Sequence, residues 1–214
     1  MLLATDLDGT FLGGKSLHKQ QLYRLIKKNT AITLVFVTGR GLESVIPLLN
    51  DPVIPNPDYI ICDVGATVVN GHTLEPVQFI QNDIEKNWPG ILTIRETMKD
   101  IEGLQYQEVP QQRRCSFFAN LDAIGLEHVQ AKAHSIHCEV VYSANRFLDI
   151  LPMGVNKGTT LVKLVGFLRA KSGDILVAGD TLNDLSLFEC GYKGVVVGDA
   201  EPLLLESTAN MQHV

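Results

Sequence analysis

Asp6 and Asp8 stand two residues apart in the segment DLDGT, directly after a short apolar run. Extended backbone at that spacing sends both side chains the same way. A third acid, Asp180, lies far downstream in GDTLND beside Asn183 and Asp184. Carboxylates brought together repel unless a cation joins them. Hard oxygen donors of this kind suit Mg²⁺, which keeps waters and takes one or two carboxylates plus a phosphate. Lys157 in GVNKG adds a fixed positive charge, and VTGR offers the Thr38 hydroxyl and turn N–H groups such as that of Gly39 to phosphate oxygens. An Asp-Gly pair alone often marks only a turn. Four such clusters point instead to phosphoryl transfer with a carboxylate nucleophile.

The elements that must position these residues alternate along the chain. Met1–Thr5, Ala31–Val37, Tyr59–Cys62, Ile175–Ala178 and Val195–Val197 are strand-like apolar runs, and several end where a polar cluster begins. Helical spacing follows Ser16, with Leu22, Leu25 and Ile26 on one face and Lys27 and Lys28 at the basic end. A short helix is expected over Leu42–Leu49 with Pro47 near an end or a kink, and another over Thr159–Arg169. Continuous apolar strands alternating with helices imply a parallel sheet covered on both faces. Ligands of such sheets bind at the carboxyl ends of strands, where these polar clusters gather.

Between about Leu74 and Leu151 the rhythm changes. Helix is expected over Asp83–Lys99 and Asp122–Ser135. Strands are expected over Gln105–Val109, Arg114–Asn120, Glu139–Ser143 and Phe147–Leu151. That order suits an antiparallel sheet with helices on one face. The fold class is therefore α/β: a Rossmann-like parallel core, residues 1–74 and 152–214, carrying an inserted α+β cap, residues 75–151.

Composition limits the function classes. The 214 residues carry a net charge of −6, with no global basic footprint for nucleic acid or an anionic membrane. No apolar run reaches membrane-spanning length, and the acids of MLLATDLDG stand where a signal peptide would be apolar. A soluble, cytoplasmic chain is expected. Cys62, Cys115, Cys138 and Cys190 are widely spaced and read as reduced core thiols.

DLDGT, VTGR, the lysine of NKG and GDTLND resemble, in order, the four motifs of the haloacid dehalogenase superfamily of phosphohydrolases. The insertion resembles the large α/β cap of one branch. Within it, PDYIICDVGATV, SANRFLDILPMGVNKG and GDTLNDLSLFE are similar to sucrose-phosphate phosphatases and related sugar phosphatases. The resemblance implies Asp6 as nucleophile and Asp8 as general acid/base. It implies Mg²⁺ held by Asp6, the Asp8 carbonyl and Asp180, with Asp184 in support. Thr38 and Lys157 would bind the phosphoryl group, and Asn183 would orient it. The family pattern continues past the final strand into another strand and helix. This chain ends at Val214, so either the sequence is cut short or the sheet lacks an edge element.

The core motifs contain little that distinguishes one sugar from another, so recognition falls to the cap, with Arg114, Ser143, Asn145 and Arg146 as candidate contacts and Asp149 as a hinge support. His134, His137 and Cys138 lack the spacing of a tetrahedral metal set and read as a helix end and a core thiol. The expected activity is Mg²⁺-dependent hydrolysis of a small-molecule sugar phosphate, a sucrose-phosphate-like disaccharide phosphate being favoured. The alternatives are a phosphosugar mutase of the same branch and a non-catalytic sugar-sensing or partner-binding domain. Oligomeric state is left open.

Overall fold

The computed structural model describes residues 1–214, the side chains of residues 123 and 124 excepted. A six-stranded sheet contains β1 (Leu2–Thr5), β2 (Thr33–Val37), β3 (Tyr59–Cys62), β4 (Thr67–Asn70), β9 (Ile175–Gly179) and β10 (Lys193–Val196). Its order is β10-β9-β1-β2-β3-β4, parallel except for β4, which pairs antiparallel with β3 at the edge. From β1 the chain proceeds one way to β2 and β3 and later the other way to β9 and β10. Such a reversal opens a crevice at the carboxyl end of β1, where Asp6 sits.

Alternation sorts the strand side chains onto two cores. Ala4, Val35, Val37, Ile61 and Val177 face one, while Leu3, Leu34, Phe36, Ile60 and Cys62 face the other. The first is covered by α3 (Gln78–Glu85), α6 (Lys157–Leu168), α7 (Leu185–Glu189) and α8 (Pro202–Thr208). The second is covered by α1 (Ser16–Lys28) and α2 (Leu42–Leu49). On α1 the buried residues are Tyr23 and Ile26, whereas Leu22 and Leu25 are exposed, so the apolar stripe is rotated from the one read in sequence. Ser16 is the first helical residue and makes no capping bond.

The second sheet is antiparallel, ordered β5-β6-β8-β7 from β5 (Leu104–Tyr106), β6 (Cys115–Ala119), β7 (Cys138–Ser143) and β8 (Phe147–Pro152). Helices α4 (Ile91–Met98) and α5 (Ala123–Ser135) cover one face, packing Ile94, Met98, Val129 and Ala133 against Phe117, Leu148 and Ile150. The helix expected over Asp83–Lys99 is two helices, broken around Pro89. The α3 helix falls inside the expected 75–151 insert, yet its Ile80 and Ile84 pack in the parallel-sheet core. All four cysteines are free thiols; burial raises the Cys62 thiol well above its ordinary range and the Cys115 thiol to about 12. No helix is long and apolar enough to cross a membrane among the described residues.

Candidate active site

Three carboxylates meet at the carboxyl edge of the parallel sheet. Asp6 follows β1, Asp180 follows β9, and Asp184 closes the short turn after it. One oxygen from each lies within 4.8 Å of the others, and all three residues are buried. Lys157, the first residue of α6, reaches into this group fully buried. Its Nζ donates to Asp6 Oδ1 at 2.7 Å and to Asp184 Oδ1 at 2.6 Å. The lysine is aimed by its own helix start: Asn156 caps α6 by accepting from the Thr159 N–H, and the Thr159 hydroxyl accepts from the Asn156 N–H. Asp184 is fixed from behind, since its Oδ2 accepts the N–H groups of Asp180 and Thr181.

Thr10, the last residue of DLDGT, donates through Oγ1 to Asp180 Oδ1 at 2.6 Å. That contact needs the chain to turn tightly between Asp6 and Thr10, and Gly9 makes the turn at φ +81°. A Cβ there would also lie 2.0 Å from Asp180 Oδ2, so both backbone conformation and space require glycine.

Three negative charges against one positive leave this buried cluster two charges short of neutral. Burial and this imbalance both act on the carboxyl groups. Burial pushes the Asp6 carboxyl up to about 7, with Asp184 and Asp180 adding to the rise and Lys157 opposing it. Burial, joined by Asp184, also raises Asp180 against the pull of the Thr10 hydroxyl. Burial disfavours the Lys157 charge, but Asp184 and Asp6 outweigh it, and the net shift is upward. A divalent, oxygen-seeking cation fits this donor set, and Mg²⁺ is such an ion. Asp6, Asp180 and Asp184 are the side chains that would hold it.

Asp8 is placed differently. Its side chain is 60% exposed and stands outside the acidic cluster, with Arg40 Nη2 at 2.5 Å from Oδ1 and Arg40 Nε at 2.8 Å from Oδ2. Any part of Asp8 in metal binding therefore falls to its backbone carbonyl. Arg40 belongs to VTGR but was not singled out in the sequence, because nothing in the spacing shows that its fork closes on Asp8. The Thr38 hydroxyl is buried and accepts the Arg40 N–H at 3.1 Å.

A cavity of about 410 Å³ opens between the two sheets' domains. Asp6, Asp8, Gly39, Arg40 and Asn183 line its core side, and Gln107, Arg114, Ser143, Phe147 and Asp149 its cap side. Of the four cap residues expected to meet sugar, Arg114 and Ser143 line the cavity, whereas Asn145 and Arg146 do not. Ala144 and Asn145 form the left-handed turn between β7 and β8, and Arg146 lies over the rings of Phe118 and Phe147. Arg114 is also no free ligand: it is buried between Asp149 and Asp63. Gln107 is a lining residue that sequence reasoning missed. His134, His137 and Cys138 join no metal-holding group among the described residues.

Comparison with known proteins agrees with this geometry. Residues 1–214 match the model of the family described as sucrose-6F-phosphate phosphohydrolase. A glucosylglycerol-phosphate synthase from Pseudomonas anguilliseptica is 48% identical over 97% of this chain, which spans 27% of that longer protein. A mannosylfructose-phosphate phosphatase from Agrobacterium fabrum is 33% identical, over 95% of this chain and 85% of its own length. The solved sucrose-phosphatase from Synechocystis, in complex with sucrose and phosphate, superposes with a TM-score of 0.85 at 27% identity, covering 98% of this chain and 87% of that one. The chain belongs to the sucrose-6F-phosphate phosphohydrolase family, within the haloacid dehalogenase-like phosphatases.

Proposed function

We propose that this chain hydrolyses a phosphorylated glycoside in a Mg²⁺-dependent reaction through an aspartyl-phosphate on Asp6. The observation that carries the reading is Asp6 itself: a buried carboxylate facing a 410 Å³ cavity and held by Lys157 at 2.7 Å. The same cavity is lined from the cap by polar Gln107 and Ser143. Relatives named for sucrose, mannosylfructose and glucosylglycerol phosphates share one chemical class, a glycoside bearing a phosphate. That class suits a cavity with a charged floor and hydrogen-bonding walls.

In this reading an Asp6 carboxylate oxygen attacks phosphorus, and the bond from phosphorus to the sugar oxygen breaks. Asp8 protonates the departing oxygen, then takes a proton from the water that attacks the phosphorus of the aspartyl-phosphate. Inorganic phosphate leaves and Asp6 is restored. Both Asp8 oxygens are engaged by Arg40, so Asp8 serves as proton donor only after parting from that fork. Lys157 keeps Asp6 oriented and offsets charge as the phosphoryl group arrives, while Asn183 and the turn at Thr38–Gly39 receive its oxygens. Bound Mg²⁺ would neutralise phosphoryl oxygens from the Asp6–Asp180–Asp184 side.

The test is phosphate release from sucrose 6-phosphate, mannosylfructose phosphate and glucosylglycerol phosphate, with Mg²⁺ and with chelator. Metal-dependent release of phosphate together with the unphosphorylated glycoside is expected. An isomerised sugar phosphate would indicate a mutase, and no turnover of any of the three would end the reading.

A further inference from the structure

Arg114 lines the cavity, yet its guanidinium is flanked by acids of both core and cap. It immediately precedes β6 and is buried with the core residue Asp63 on one side and the cap residue Asp149 on the other. Its Nη1 lies 3.3 Å from Asp149 Oδ1, which also accepts the Ser116 hydroxyl at 2.5 Å. Its Nε lies 3.4 Å from Asp63 Oδ1. Neither of these last two atoms has a hydrogen-bond partner, although both are buried. The Gln112 N–H, from the same cap segment, also favours the Asp63 charge without forming a bond of good geometry.

Asp63 in turn is wired to the phosphate side of the site. It begins a turn after β3 in which Asp63, Val64 and Gly65 all have positive φ, a conformation that aspartate tolerates better than most residues but that is strained for the β-branched Val64. The surroundings hold that turn in place. The Asp63 N–H donates to the Arg40 carbonyl at 2.9 Å, and the Val64 N–H to the Thr38 carbonyl at 3.1 Å. The Thr67 hydroxyl donates to the other Asp63 carboxylate oxygen at 2.8 Å. The cap segment carrying Arg114 also presses on this loop directly. A Cβ on Gly41 would lie 2.0 Å from the Pro110 carbonyl oxygen, so glycine is what permits the approach.

The geometry points to Arg114 as a positioning residue that ties the docking edge of the cap, residues 110–114, to the phosphate-side loop Thr38–Gly41 through Asp63. This assignment rests on the phosphatase reading of the site and departs from the sugar contact expected from the sequence. At 3.4 Å the Nε–Oδ1 pair is longer than a charge-assisted hydrogen bond. A small further approach of cap to core would complete it and brace the turn that carries the Thr38 and Arg40 carbonyl contacts.

The test uses Arg114→Lys, which keeps the charge but not the fork, Asp63→Asn, and the two combined. Each single change should lower kcat about tenfold on both sucrose 6-phosphate and p-nitrophenyl phosphate, with KM within about twofold. The double variant should fall no more than about twofold below the worse single, because both act through one contact. Hydrogen exchange at the Asp63 and Val64 amides should quicken about tenfold in each single variant while β1 amides stay unchanged. Unchanged exchange, or faster exchange with unaltered kcat, would overturn the assignment. A raised KM for the sugar phosphate alone, with Asp63→Asn silent, would restore Arg114 as a sugar ligand. If wild-type protein hydrolyses no phosphomonoester, the phosphatase reading fails, and exchange at Asp63 and Val64 alone decides whether the tie exists.

Discussion

Replacing Lys157 with methionine would remove the cation from a buried group of three carboxylates while nearly preserving shape. Its ammonium lies 2.7 Å from Asp6 and 2.6 Å from Asp184. At an effective dielectric constant of ~20, each such pair has a gross attraction of roughly 6 kcal/mol, much of it offset by desolvation of the lysine. Breaking a buried pair from one side has a net cost of about 3–5 kcal/mol, because the remaining charges are left unpaired. For a chain of this size that corresponds to a fall in Tm of about 6–20 °C. Thermal unfolding in chelator at pH 7.5 measures it. The sign with pH is also fixed. Removing the lysine raises the folded-state carboxyl pKa values further, so the folded state binds more protons than the unfolded one at intermediate pH. The deficit should therefore shrink as pH falls toward 4. A Tm within 2 °C of wild type at pH 7.5, or a deficit that grows on acidification, would refute the charge balance drawn here.

The same cluster predicts the opposite stability effect for Asp6→Asn, which removes one of the crowded charges: turnover should drop by at least ~10³, with apoprotein Tm at pH 7.5 equal to or above wild type. Wild-type apoprotein should lose stability as pH rises from about 4 to about 7, because burial lifts Asp6 from 3.8 to about 7; urea titrations across that range check it, and Asp6→Asn should flatten the slope. Added Mg²⁺ should raise Tm and restore turnover after chelation better than Ca²⁺, whose longer bonds and higher coordination number suit this compact group less well. Gly9→Ala should lower Tm and abolish turnover, since its Cβ would meet Asp180 Oδ2 and φ is +81°; unchanged activity would show that the DLDGT turn tolerates displacement.

What could be read from the sequence was what local pattern and chain order determine. Continuous apolar strands forecast a two-faced parallel sheet, and the residues of β1, β2 and β3 do divide between two cores by alternation. Asp6, Lys157 and Asp180 were legible because each closes a strand or opens a helix in a recognisable order. Long-range side-chain choices were not. Of the expected α1 face only Ile26 is buried, while Leu22 and Leu25, no less apolar than the buried Tyr23, are exposed, because the core around Phe11, Leu34 and Phe36 selects the face. The pairing of Arg40 with Asp8 spans 32 residues, and that of Arg114 with Asp63 depends on how the cap meets the core. Arg146 reads as free for sugar, yet its guanidinium lies over the rings of Phe147, the next residue, and Phe118, directly opposite Phe147 on the paired strand β6. The expected insert, residues 75–151, takes in α3 (Gln78–Glu85), most of which precedes the helix expected over Asp83–Lys99. The burial of α3 beside α6 is a tertiary fact without a local signal.

In the proposed reaction Asp6 becomes covalently phosphorylated, and water then hydrolyses the aspartyl-phosphate. Rapid mixing with a phosphorylated glycoside from the active panel and Mg²⁺, acid quenching within one turnover, borohydride reduction and peptide mass spectrometry test it directly. The peptide containing Asp6, and no other acidic peptide, is expected to carry a phosphoryl group before reduction and homoserine at position 6 after it. The same peptide from Asp8→Asn protein should accumulate more of the phosphorylated form if its first step remains measurable, because hydrolysis loses its base. Phosphate release at full rate with Asp6 unmodified at every quench time, or a phosphoryl group on any other residue, would contradict the proposed reaction.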